Sequence, residues 1–192
     1  MLTLKLSEAL SSCALLETHK ERPFFDQFSQ DLKRYSLSNQ IDYLLYRAEQ
    51  EIFARQNDII GVQDGGLDQD FHVFTKLFYR KGFLDEREFQ LCERLYSSLR
   101  HLLPSPDLII SLSAPIPILV KRIARRQRLD IAGPEDLDEI ESLIQGWLSN
   151  YVISPVIDID TSTDDPSYGY LIEGLAIRVR DILNSSSNYL SL

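Results

Sequence analysis

Three groups of side chains have types and spacings that could do chemistry. The first is the basic stretch Lys121-Arg122-Ile-Ala-Arg125-Arg126-Gln-Arg128. On a helix Arg122, Arg125 and Arg126 fall near one another at spacings of three and four. Guanidinium forks suit phosphate because they stay charged and can bond it bidentately. The plainer alternative is a solvated helix face balanced by the acidic run Asp136 to Glu141. The second is Glu17, which closes the apolar run Cys13-Ala-Leu-Leu16. Functional side chains in parallel sheets sit where strands stop, at their carboxyl ends. A carboxylate there could act as a general base, although a solvated or capping acid fits the lone residue equally well. The third is Gln63-Asp64-Gly65-Gly66-Leu67-Asp68-Gln69-Asp70, again just after a strand-like run. Its acids resemble a calcium loop only loosely and lack the distal Glu. A magnesium ion shared with a nucleotide needs only one or two carboxylates, and Asp64 is the candidate.

Other chemistries find little support. His19, His72 and His101 form no spaced pair or triad, and there is no G-x-S-x-G and no cysteine with a spaced histidine for acyl transfer. Trp147, beside Leu143 and Leu148, reads as core.

The elements that must carry these groups alternate. A short helix at Leu4–Leu10 precedes a strand at Cys13–Leu16. Apolar residues recur at helical spacing from Leu32 to Gln56. A second strand is expected over Asp58–Val62, helices over Val73–Tyr79 and Glu86–Leu103, and a stop at Pro104-Ser-Pro106. Asp107–Ser113 is apolar on both faces, as a buried parallel strand should be. A basic helix at Leu119–Arg128, an acidic one at Glu135–Asn150, a strand at Val156–Asp160 and a helix at Tyr168–Leu183 follow. Strands separated by helices imply crossovers and a parallel α/β sheet with helices on both faces. One domain over 1–183 and a flexible tail over 184–192 are expected.

The 192 residues are 44% hydrophobic and 26% charged, with 8 Gly and 8 Pro, which argues against disorder and low complexity. A net charge of −9 discourages general nucleic-acid binding, which relies on Lys and Arg neutralising phosphates. Cys13 and Cys92 are too few for a disulfide framework and fit a reduced, cytoplasmic protein. The apolar runs are strand-length, so no membrane span is expected. No basic segment with a long apolar core follows Met1, so no secretory leader is expected either.

Taken together, these segments resemble the deoxynucleoside kinase family, P-loop enzymes that transfer the ATP γ-phosphoryl group to a deoxynucleoside 5′-hydroxyl. The most specific stretch is Asp70-Phe-His-Val-Phe-Thr-Lys-Leu-Phe-Tyr79, followed by Gly82-Phe-Leu84. Pro106-Asp107-Leu-Ile-Ile-Ser-Leu is similar to the strand before the family's lid helix. Arg122-Ile123 with Arg126-Gln-Arg128 is similar to its arginine-rich lid. The resemblance implies Glu17 as general base and Gln40 as the reader of the nucleobase edge. It places Arg47 and Asp70 in the substrate site and Phe74 as an aromatic packing on the base. Arg122, Arg126 and Arg128 become the arginines that bind and stabilise the transferring phosphoryl group. It also implies ATP and magnesium, small-molecule rather than nucleic-acid or membrane partners, and a homodimer through the helices carrying Leu37–Phe53 and Val73–Phe78.

Departures accompany the resemblance. The family's first strand and its glycine-rich phosphate loop have no counterpart in this sequence, whose Leu2–Leu6 resembles the helix after that loop. The expected fold is therefore a P-loop-kinase-type parallel sheet, family order 2-3-1-4-5, whose central first strand is missing. The strands on either side would then close up and pair directly, or the chain would be N-terminally incomplete. The family's Glu/Asp-Arg-Ser triplet reads Asp64-Gly65-Gly66 here. The tyrosine and glutamate that hold the sugar 3′-hydroxyl read Ser29 and Ile131, with Asp130 adjacent. A catalytically inactive relative that binds nucleosides or serves as a scaffold is the alternative function.

Overall fold

The computed structural model describes residues 2–17, 22–57, 59–125, 133–163 and 168–189. Helix α1 (Leu2–Leu10) leads into strand β1 (Cys13–Leu15), then α2 (Phe25–Gln30) and the long α3 (Leu32–Gln56). Asp31 starts α3, its side chain accepting from the Arg34 amide at 3.1 Å and so filling one of the donors a helix start leaves open. Strand β2 (Gly61–Gln63) follows, then α4 (Leu67–Gln69), a π-helical turn over Asp70–Thr75, and α5 (Lys76–Arg80). Helix α6 (Glu86–Leu102) is opened by a capping box between Asp85 and Glu88. Strand β3 (Ile109–Ser113), α7 (Ile116–Arg125), a 3₁₀ turn (Pro134–Asp136), α8 (Leu137–Leu148), β4 (Val156–Asp160) and α9 (Gly169–Tyr189) complete the chain.

The sheet is parallel, as expected, and it comes in two halves. Cys13 to Leu15 pair with Gly61 to Gln63, and Ile109 to Ser113 with Val156 to Asp160. Among the described residues β2 and β3 do not pair with each other. The expectation that the flanking strands close up directly is therefore not met. What joins the halves is a shared apolar layer. Val62 of β2 and Ile110 of β3 both pack on a cluster built from Leu2, Leu6, Leu10, Ile157, Ile159 and Leu175. Strand alternation turns the neighbours of Val62 to the opposite face. A Cβ at Gly61 would lie 3.0 Å from the Ala54 side chain of α3. Gln63 reaches the carbonyl of Arg47 in the same helix. Helices thus cover both faces. A second core, centred on Phe28, Leu44, Leu67, Leu77 and Cys92, binds α2, α3, α5, α6 and α8 together.

Several boundaries differ from those expected. The helix after β2 runs from Leu67 to Arg80 and changes to π geometry at Asp70, which hydrophobic spacing does not reveal. Helix α7 starts earlier, at Ile116, with Pro117 in the first turn, where a missing N–H is harmless. Helix α9 continues to Tyr189, so the described part of the expected tail is helical.

Candidate active site

Helix α3 buries a stripe of polar residues. Ser36, Asn39, Gln40, Tyr43, Arg47 and Gln50 recur at helical spacing and are all buried. Buried polar groups need partners, and most of these find them on three chain segments that meet α3: the residues after β1, those after β2, and the π turn.

Glu17 stands two residues past β1. The carbonyl of Leu16 accepts from Tyr46 Oη at 2.8 Å and from Gln50 Nε2 at 2.9 Å, which fixes the backbone beside it. The Glu17 carboxylate then meets Arg47 Nη2 at 3.0 Å, with side-chain exposures of 24% and 2%. Arg47 Nε donates to Asp70 Oδ2 at 2.8 Å, and Nη1 to Gln50 Oε1 at 3.3 Å. One buried guanidinium therefore spans two carboxylates from different segments. Gln63 Nε2 braces the group, donating to Gln50 Oε1 at 2.9 Å. The main-chain carbonyl of Asp70 accepts from Gln40 Nε2 at 3.1 Å and from Thr75 Oγ1 at 3.0 Å. Phe74 is half-buried, its ring 6.5 Å from that of Phe78. Asp64, just past β2, is tied to β1 by its N–H, which donates to Leu15 O at 2.9 Å.

The electrostatics follow from burial. Desolvation is the largest influence on Arg47 and opposes its charge. The nearby carboxylates of Asp70, Glu17 and Asp64 outweigh it, so the guanidinium is held above its ordinary pKa. Tyr43 is pushed far up, chiefly by burial and then by the charge of Glu17, to which it hydrogen-bonds. Its phenol stays protonated beside the carboxylate. Glu17 is thus a carboxylate held by a cation and a phenol, with part of its surface open to solvent. Such a group can accept a proton from a hydroxyl brought to it.

The structure brings Glu17, Gln40, Arg47, Asp70 and Asp64 into one neighbourhood. Arg122 closes the end of β4. Arg122 donates to Thr161 Oγ1 at 3.1 Å, to the Thr161 carbonyl, and to the Thr163 carbonyl at 3.2 Å. Arg126, Arg128, Asp130 and Ile131 lie outside the described residues. Ser29 spends its hydroxyl on the Asp26 carbonyl within α2. Asp136 pairs with Lys81 at 2.6 Å rather than balancing the arginine stretch. Tyr43, Tyr46, Gln50 and Gln63 were not expected at the site. Tyr43 and Gln50 share one buried face of α3 with Ser36, Asn39, Gln40 and Arg47, a face that the many charged residues of this helix hide in the sequence.

A second charged cluster lies nearby. Arg100 meets Glu51 at 3.0 Å and Asp68 at 3.1 Å. Tyr96 Oη donates to Asp68 at 2.7 Å and sits 3.1 Å from His72 Nε2. The His72 ring stacks on Trp147 with centroids 5.6 Å apart. Burial, and then the charge of Lys76, lower the His72 pKa to about 4. A cleft of about 330 Å³ opens beside this cluster. Among the described residues no helix is long and apolar enough to cross a membrane, and no three acids, histidines or cysteines gather as a metal site.

Comparison with known proteins gives a consistent result. A family model described as deoxynucleoside kinase matches residues 8–172. A deoxyadenosine/deoxycytidine kinase of Bacillus subtilis (strain 168) is 24% identical over 191 residues, covering 94% of this chain and 87% of that protein. A deoxyadenosine kinase of Dictyostelium discoideum is 29% identical over 170 residues, covering 84% of this chain and 66% of its own length. A solved deoxyadenosine kinase from M. mycoides with bound dCTP superposes with a TM-score of 0.75 at 22% identity, covering 94% of this chain and 92% of that one.

Proposed function

Because this chain belongs to the deoxynucleoside kinase family, we propose that it transfers the γ-phosphoryl group of ATP to the 5′-hydroxyl of a deoxynucleoside, a step of nucleotide salvage. The observation that carries this reading is the carboxylate of Glu17 at a strand end, gripped by Arg47 and still open to solvent. In the reaction the 5′-oxygen bonds to the γ-phosphorus as its proton passes to Glu17. The bond from that phosphorus to the β,γ-bridging oxygen breaks, and ADP leaves with the electron pair. Phosphoryl transfer needs positioning and charge stabilisation more than covalent chemistry.

Gln40, Arg47, Asp70 and Phe74 are the substrate-side residues, carried by α3 and the π turn. Arg126 and Arg128 are assigned the developing phosphoryl charge. Arg122 shares that task less directly, since its guanidinium is engaged by Thr161 and Thr163. Asp64 offers a single half-buried carboxylate beside β2, with no third acid or histidine grouped with it among the described residues. That donor set fits magnesium carried on nucleotide phosphates, not an ion held by protein ligands alone. Bound there, magnesium would neutralise phosphate charge. A cytoplasmic homodimer is the assembly we propose. The inactive-relative alternative gains no support from a site whose carboxylates, guanidinium and amide are present and assembled.

The test is incubation with γ-labelled ATP, magnesium and each of the four deoxynucleosides. Label appearing in a 5′-monophosphate supports the reading. No transfer to any of the four overturns it.

A further inference from the structure

The cleft of about 330 Å³ beside the second charged cluster is lined by Asp68, His72 and Lys76 from the helix after β2, by Tyr96 and Arg100 from α6, and by Trp147 from α8. The proposed reaction uses none of these residues. A cleft of this size can hold a small molecule. The chemistry of its wall indicates which kind.

Hydrogen bonds run along that wall in one direction. A lysine ammonium can only donate, so His72 Nδ1 accepts from Lys76 Nζ at 3.3 Å. Burial, and then the charge of Lys76, keep the ring neutral above about pH 4. Its proton therefore sits on Nε2 and is donated to Tyr96 Oη at 3.1 Å. Tyr96 donates in turn to Asp68 at 2.7 Å. Asp68 pairs with Arg100, which pairs again with Glu51. Lys76 is the charge left unmatched. Its ammonium meets His72 and, 5.8 Å away, the Phe71 ring, and among the described residues it has no carboxylate partner. Two of its three N–H bonds remain for a ligand. The rest of the lining is flat and apolar. Tyr96 stacks on Phe71 with centroids 4.2 Å apart, and Trp147 on His72 at 5.6 Å, so these rings are fixed in place. Ile153 also lines the cleft and is 71% exposed. An apolar body entering there would cover it and gain from its burial.

We propose that this cleft is a second ligand site, which takes a small aromatic anion: a planar ring against Trp147, Tyr96 and Ile153, with its carboxylate or phosphate on Lys76. The ring answers the flat apolar lining and the negative group answers the unmatched ammonium. A neutral deoxynucleoside supplies no charge for Lys76 and is not the ligand. The proposal stands or falls apart from the reading of phosphoryl transfer.

Trp147 is the one tryptophan of the chain, so tryptophan fluorescence reports on this cleft. The full chain is titrated with benzoate, phenyl phosphate, neutral benzamide and inorganic phosphate, and NMR follows the rings of His72 and Tyr96. Benzoate or phenyl phosphate should saturate with a Kd of about 1 mM or tighter and shift both rings. The tighter of the two identifies the acidic group. Benzamide lacks the charge and inorganic phosphate lacks the ring, so each should bind at least about tenfold more weakly. Lys76→Met and Lys76→Gln should weaken the aromatic anions at least about tenfold. Lys33→Met, which removes an exposed lysine of α3, should change nothing. No saturable signal from either aromatic anion below about 10 mM overturns the proposal. Benzamide binding as tightly as benzoate, inorganic phosphate binding as tightly as phenyl phosphate (an adventitious ion only), or affinity that survives the loss of Lys76 also overturns it. If neither Lys76 variant folds, the comparison of benzoate with benzamide on the wild type decides.

Discussion

Replacing Asp70 with asparagine tests the buried core of the site with little change in shape. The ion pair it breaks is 2.8 Å long between side chains only 2% and 7% exposed. Removing one member of such a pair typically costs about 3–5 kcal/mol, because the other charge is left buried. Two features place this case at or below the low end. Arg47 keeps Glu17 at 3.0 Å, so its charge is not orphaned, and asparagine retains an oxygen that can accept from Nε. The main-chain carbonyl of Asp70, bonded by Gln40 and Thr75, is untouched. A loss of about 2–3 kcal/mol follows. With a urea m-value of about 2 kcal/mol/M, the midpoint should fall by about 1–1.5 M. Against a typical stability of about 5–15 kcal/mol the variant still folds, so the comparison can be made by equilibrium unfolding followed by circular dichroism. A midpoint within about 0.2 M of wild type, at unchanged m, would show that the Arg47–Asp70 pair does not hold the site together.

Other outcomes follow from the same structure. Glu17→Gln should lower turnover by about 10²-fold or more in the labelled-ATP assay. Its unfolding midpoint should move much less than that of Asp70→Asn, and an unchanged rate would remove Glu17 from the chemistry. His72, whose folded pKa is about 4 against 6.5 when unconstrained, binds its proton more readily in the unfolded chain. Its contribution is therefore fully present above pH 6.5 and is lost as pH falls toward 4. The ring is only partly buried, so the loss is about 1–2 kcal/mol after screening by solvent. His72→Gln should flatten that part of the stability–pH curve. Leu44, fully buried in the second core, should cost about 2–5 kcal/mol when changed to alanine, read by urea unfolding.

Much of the scaffold was legible because local signals agreed with the tertiary structure. The bounds of α3 follow from apolar spacing that runs from Leu32 to Gln56, and the structure adds the Asp31 cap at its start. The β4 strand follows from alternation between Ile157, Ile159 and their exposed neighbours. Glu17 could be picked out because an apolar run stops just before it, and the structure sets it beside Gln40, Arg47 and Asp70. The π turn at Asp70–Thr75 was hidden, since one extra residue per turn leaves no mark on hydrophobic spacing. The role of Arg122 was hidden for a different reason. A basic helix shows its cations, but not that the carbonyls of Thr161 and Thr163, some forty residues later, lie within their reach. Tyr43 and Gln50 went unrecognised because polar residues in a helix usually face water. Only the convergence of three strand-end and turn segments on α3 shows that this face points inward.

The proposed deoxynucleoside site is the neighbourhood of Glu17, Gln40, Arg47 and Asp70, with Phe74 on the adjoining π turn. It is tested most directly by NMR titration of the labelled protein with a deoxynucleoside. Saturable shifts are expected at the Gln40 amide, the Phe74 ring and the Glu17 carboxyl, with His72 and Trp147 unmoved. Shifts confined to His72, Tyr96 and Trp147, which line the other cleft, would refute it.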